Sequence, residues 1–173
     1  TPLYSSAASD VYKRQNPQMG APDPMRVDFY QLTRDPVEQV VPLLARKTLQ
    51  AGERMLVVSK DSDQRAAIAE ALWKDGPAHF LANGEATEPH AARQPILLSD
   101  ACAAPNEARF LLLADGIWRE EANAFARTFL LFGPDQTQAA RALWRDLRAR
   151  APTEDAVEFG AFRQNEEGGW NPL

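Results

Sequence analysis

RVDFYQLTRDPVEQVVPLLARKTLQAGERMLVVSKDSDQRAAIAEALW, residues 26–73, reads as strand, helix, strand, helix. RVDFYQL is a short β-prone run around Val27, Phe29 and Tyr30. A helix start follows, with Asp35 as cap, Pro36 at the first helical position and Glu38 placed to close a capping box. Val37, Val40, Val41, Leu44 and Thr48 recur at spacings of three and four, so one helix face is apolar, and Gly52 ends the helix. RMLVVS (54–59) has the continuous apolar character of a strand buried on both faces. Asp61 or Asp63 then caps a second helix, whose face is Ala66, Ile68, Ala69, Leu72 and Trp73 and which Gly76-Pro77 closes.

Working outward, residues 77–94 read as irregular, with a brief apolar HFL at 79–81. ILLS (96–99) and RFLLLA (109–114) are strand candidates separated by the loop ACAAPNEA, and 118–126 is weakly helical. RTFLLF (127–132) is another continuous apolar strand, and Gly133-Pro134-Asp135 breaks it and opens a third helix over 136–149, stopped by Pro152. VEFGAF (157–162) reads as a last edge strand before the polar tail RQNEEGGWNPL. Alternating strands and helices predict one α/β domain of three layers. Its central sheet is mostly parallel and flanked by helices, Rossmann-like but without a nucleotide-binding glycine loop.

Residues 1–24, TPLYSSAASDVYKRQNPQMGAPDP, have no apolar period and read as a disordered, non-native flanking segment resembling translated adapter sequence. Met25 is the expected natural start, with Met19 as the alternative, and 25–173 is the expected domain. The chain carries 24 Asp+Glu against 19 Lys+Arg, a formal net charge of −5, so a broad grip on nucleic acid is disfavoured. One Cys excludes an intrachain disulfide framework and multi-cysteine metal sites. No apolar run reaches the ~20 residues of a membrane span, and a reducing, cytoplasmic setting is expected.

The usual chemistry of such a fold is missing from the sequence. The turns after the first two strands, LTRDPVEQ and SKDSDQR, hold no glycine, and no GxxxxGK[ST] occurs, so the backbone cradle for a pyrophosphate is not encoded; Lys60-Asp61-Ser62 lacks the glycine loop. Ser59, Ser62 and Ser99 have no GxSxG setting, and Cys102 reads as a small semi-buried thiol. His79 and His90 lie on the irregular stretch without partners, and Glu120-Glu121 and Glu166-Glu167 read as solvated surface. An enzyme or nucleotide binder of unknown substrate remains the alternative reading, carried by the early β–α–β order alone.

The third helix is different. QTQAARALWRDLRARA (136–151) holds Arg141, Arg145, Arg148 and Arg150 against the single acid Asp146, a local charge of +3. Arg141, Trp144 or Arg145, and Arg148 share one face. A Trp flanked by arginines suits a short acidic peptide with an apolar end or a terminal carboxylate. The same spacing also suits plain packing, with Trp144 in the core beside Ala140 and Leu147 and the arginines solvated. Direct stacking of single-stranded DNA on Trp144 is a third reading, disfavoured by the net charge.

Taken in order, VDFYQL, the helix ending ALW (71–73), HFLANG (79–84), QPILLS (94–99), RFLLLADG (109–116), LFG (131–133), the AR..WR helix (140–145) and the ending FRQNEEGGW resemble the chi subunit of the bacterial DNA polymerase III holoenzyme, a clamp-loader accessory protein. Ala82 and Asn83 depart from the family pattern, which often has Pro and His there.

The resemblance implies a non-catalytic replication adaptor, a subunit of a DNA-directed DNA polymerase complex that needs no cofactor or metal. Its implied partners are the acidic C-terminal tail of single-stranded DNA-binding protein, the clamp loader, and a psi subunit or a helicase; it implies neither tight direct DNA binding nor a membrane. The tail site carries over to Arg141, Trp144 and Arg145; Thr137 stands where some relatives have a basic residue. The psi or helicase surface carries over to Trp73 and Phe80, seven residues apart.

Overall fold

The computed structural model describes residues 23–75 and 78–173. Nearly all of the 1–24 segment and the Gly76-Pro77 helix stop therefore lie outside the described residues. In chain order the elements are β1 (Met25–Gln31), α1 (Val37–Gln50), β2 (Met55–Val58), α2 (Ser62–Lys74), β3 (Asn83–Glu85), β4 (Ile96–Ser99), β5 (Phe110–Leu113), β6 (Arg127–Phe132), α3 (Thr137–Arg150), β7 (Val157–Gln164) and β8 (Trp170–Pro172). They build one eight-stranded sheet in the order β3-β4-β2-β5-β6-β1-β7-β8. Every pairing is parallel except that of β7 with β8.

The apolar runs explain the layers. In β2, β4 and β5 side chains alternate between two cores because both sheet faces are covered. Met55, Val57, Ile96, Leu98 and Leu112 pack with Val40, Val41 and Leu44 of α1 and Ile68 and Leu72 of α2. Leu56, Val58, Leu97, Leu111 and Leu113 pack on the other face with Ala140 and Leu147 of α3. Short 3₁₀ turns at Ala91–Arg93 and Glu120–Ala124 complete that second layer through Ala91 and Ala122.

Helix boundaries follow local chemistry. Gly52 takes φ +77° just past α1, the left-handed conformation that suits glycine at a helix end. Asp61 caps α2, its carboxylate accepting from Asp63 N at 2.9 Å and Gln64 N at 3.3 Å. The expected capping box of α1 is not formed: no side chain caps it, because the Asp35 carboxylate instead accepts from Gln164 Nε2 at 2.8 Å. The same glutamine's Oε1 accepts from Arg34 N and Asp35 N, so a residue of β7 satisfies the backbone of the β1–α1 turn.

Other expectations are corrected at the sheet edges. The 77–94 stretch contains β3, whose Asn83, Gly84 and Glu85 pair with Ile96, Leu97 and Leu98. VEFGAF is not an edge strand: β7 runs to Gln164 and lies between β1 and β8. The tail behind it folds back as β8, held by Trp170 against Tyr30 with ring centroids 4.9 Å apart. Within the weakly helical stretch 118–126, Glu120–Ala124 form a 3₁₀ turn.

One buried charge fixes the middle of β1. Asp28 is fully buried, and accepts from Arg127 Nε at 2.8 Å, Arg127 Nη2 at 2.6 Å and Arg26 Nε at 3.0 Å. Two guanidinium groups offset the cost of taking a carboxylate out of water. Gly160 is required beside it, since a Cβ there would lie 2.2 Å from Asp28 Oδ1.

Candidate functional site

The topology creates an opening beside β1. From β1 the chain crosses through α1 toward β2, and from β6 it crosses through α3 over β1 to β7. Right-handed crossovers in opposite directions put the two helices on opposite faces. The chain therefore leaves the carboxyl ends of the adjacent strands β1 and β6, which are in register at Gln31 and Phe132, toward opposite faces. Such a switch point is where an open α/β sheet leaves a crevice.

A cleft of about 620 Å³ lies there, between α3 and the ends of β1 and β7. Alternation along the strands supplies Phe29 and Gln31 from β1 and Ala161 and Arg163 from β7. The helix supplies Thr137, Ala140, Arg141, Trp144 and Arg145. Ala161 lies opposite Phe29 in the register, and its small side chain, with that of Ala140, leaves the space open. Gln31 Nε2 donates to Thr137 Oγ1 at 3.1 Å and ties the start of α3 to β1. Gln136 pins the preceding turn, accepting from Gly133 N at 3.2 Å and donating to the Asp115 carbonyl at 2.9 Å.

Trp144 is half-buried and combines the two roles that its spacing left open. Its ring meets Phe29 edge-on at 5.1 Å and Phe159 at 5.5 Å, so it packs on the core and also lines the cleft. Arg141, Arg145 and Arg163 are exposed and form no ion pair or hydrogen bond among the described residues, and no Asp or Glu side chain lines the cleft. The other arginines of α3 are engaged differently. Arg148 lies over the Trp144 ring at 5.7 Å, and Arg150 donates to Glu120 and Asp146. The sequence-level site thus gathers Arg141, Trp144 and Arg145 along one cleft. Arg163 was missed because it sits in what reads as a polar tail; the period-two pattern from Phe159 through Ala161 is the signal that could have placed it.

The second pair is also brought together, elsewhere. Trp73 at the end of α2 and Phe80 in the following loop are 57% and 74% exposed, with ring centroids 5.8 Å apart. Trp73 therefore leaves the apolar face that its spacing gave it, and only Ile68 and Leu72 of that face are buried. Because α2 and α3 cover opposite sides of the sheet, the aromatic pair and the basic cleft are on opposite faces.

The remaining polar candidates serve local structure. Ser59 Oγ donates to Gln64 Oε1 and accepts from Asp61 N, and Ser99 Oγ accepts from Ala101 N. Burial pushes the Cys102 thiol pKa up, against the influence of nearby Arg119. His79 and His90 are exposed. Among the described residues no three His, Cys, Asp or Glu side chains gather as a metal-holding group, and no helix is long and apolar enough to cross a membrane.

Asp115 joins the two helical layers at the carboxyl edge. Its carboxylate pairs with Arg119 at 2.7 Å and accepts from Lys60 N, just ahead of α2, while its carbonyl takes the Gln136 amide ahead of α3. Burial pushes its pKa up, but the Arg119 hydrogen bonds and the backbone N–H groups of Lys60 and Ile117 outweigh it and hold the carboxyl below its ordinary value.

The molecule is thus a three-layer, Rossmann-like α/β domain whose switch-point crevice is lined by arginines and tryptophan in place of a glycine loop. The chain belongs to the family described as DNA polymerase III chi subunit, HolC, whose model matches residues 25–153, from β1 through α3. It is an accessory subunit of DNA polymerase III and a component of DNA replication. No individual curated protein matches the chain.

Proposed function

We propose that this subunit is a non-catalytic adaptor that holds the acidic C-terminal tail of single-stranded DNA-binding protein and links it to the clamp loader of the polymerase. Arg141, Trp144 and Arg145 are the residues assigned to that tail. The observation that carries the reading is the charge of the cleft: among the described residues it is lined by three arginines without an ion pair and by no Asp or Glu side chain, in a chain of net charge −5. Arginine forks match carboxylates with paired hydrogen bonds, and the apolar ground around Trp144, Phe29 and Ala161 suits the apolar end of such a tail. Exposed charge pairs contribute about 0–1 kcal/mol each, so the complex is of modest affinity and weakens with salt. Many tails on one coated strand raise the effective affinity.

Trp73 and Phe80 are proposed as the docking place of a second partner, a psi subunit or a helicase. Their support is the pairing of two large exposed rings on the face away from the cleft, since buried aromatic anchors carry much of the energy of protein interfaces. The adaptor reading is tested by titrating the full chain with a tail peptide at low salt. Binding that weakens on Arg141→Ala supports the assignment; no binding, or equal binding by the variant, overturns it.

A further inference from the structure

The cleft has a second cationic wall. Arg163 stands on β7, paired in register with Gln31 of β1 and Asn171 of β8. The next residue, Gln164, points to the opposite face, is buried, and is bonded to Asp35 and to the backbone of the β1–α1 turn. The backbone that carries Arg163 is therefore fixed on both sides, while its side chain is exposed and unpaired among the described residues. Across the opening stand Arg141 and Arg145, and the first turn of α3 adds neutral Thr137, already engaged by Gln31, and neutral Gln138. Among the described residues the opening is lined by three arginines and no Asp or Glu side chain, with the chain-terminal Leu173 at its rim, so its side chains present a net positive charge that an anionic guest can answer. Arg163 also borders a neighbouring depression with Thr33, Asn165 and Glu166, so an acidic side chain lies on its far side and not within the cleft.

We propose that Arg163 is a specificity-determining residue of the cleft, taking a carboxylate of the bound acidic peptide from the β7 wall while Arg141 and Arg145 hold it from the helix. This rests on the tail-binding reading but goes beyond it, because Arg163 lies outside the stretch that matches the family, 25–153. The peptide is gripped from two sides, so its acidic residues are read and not only its apolar end.

The test uses the full chain and two synthetic peptides with the same apolar end and free carboxylate, one with aspartates and one with asparagines in their place. Arg163→Gln is expected to bind the aspartate peptide roughly threefold to fivefold more weakly, with a shallower salt dependence. Its affinity for the asparagine peptide and its thermal midpoint are expected to stay unchanged, and Arg163→Lys to recover most of the loss. Equal binding of the aspartate peptide by wild type and Arg163→Gln overturns the role of Arg163 while leaving the cleft reading in place, provided Arg141→Ala still weakens binding. So does an equal loss for both peptides. Failure of the wild type to bind either peptide overturns both readings.

Discussion

Trp144 and Trp73 both sit on helices that flank the sheet, and they are used in opposite ways. Trp144 is wedged between Phe29 and Phe159 and roofed by Arg148. Trp73 stands 57% exposed, with the Phe80 ring as its aromatic neighbour. The first is a wall of a recessed, cationic opening assembled from α3, β1 and β7, whereas the second belongs to a raised apolar patch. The difference teaches that a residue can line an opening and still be tied into the core, while an exposed aromatic pair is largely free of the fold.

Truncation separates the two most sharply. Trp144→Ala is expected to cost about 2–3 kcal/mol of stability in chemical denaturation, below the range for a fully buried aromatic, and to abolish measurable peptide binding. The same change at Trp73 is expected to stay within about ±0.5 kcal/mol, with peptide binding intact. A comparable loss at both positions would break the contrast.

The joint between the two regions is the next lever. Asp115→Asn is expected to cost about 2 kcal/mol at neutral pH, because a charge-assisted pair with Arg119 is lost. The native carboxyl titrates below its unfolded value, so its contribution is present above the ordinary carboxylate range and lost as pH falls through the lowered value. The stability gap between wild type and Asp115→Asn should therefore close on acidification below about pH 4. A gap independent of pH would remove the ionised pair from the account.

The smallest effect is at the cleft's exposed arginines. Arg141→Ala is expected to weaken tail binding about fivefold at low salt and less at high salt, with no change in the unfolding midpoint. Isothermal titration at two ionic strengths checks it.

How much of this was legible in the sequence depends on the range of the forces involved. ILLS and RTFLLF became β4 and β6 residue for residue, because a short continuous apolar run between breakers has few alternatives in a sheet covered on both faces. Of the two cap candidates, Asp61 and Asp63, it is Asp61 that caps α2, and the pair was legible because a cap is a contact within one turn. Asp35 failed to cap α1 because Gln164, far along the chain, competes for its carboxylate, and no local pattern reports that. β8 was hidden in a polar tail, and only the packing of Trp170 on Tyr30 shows why it folds back. At the cleft, helical spacing puts Arg141, Trp144 or Arg145, and Arg148 on one face, and the family resemblance singles out Arg141, Trp144 and Arg145, while Arg163 depends on the alternation of a strand that runs two residues beyond VEFGAF. Trp73 shared its spacing with buried Leu72, and its exposure became visible only with the fold.

The central claim is that the acidic tail is held at the cleft and not at the exposed aromatic pair. The four tryptophans, Trp73, Trp118, Trp144 and Trp170, give four indole N–H resonances that report on separate parts of the molecule. Titration with the tail peptide at low salt is predicted to move the Trp144 resonance in proportion to binding and to leave that of Trp73 in place. Movement of Trp73 with Trp144 unmoved, or no movement of either at saturating peptide, would contradict the account.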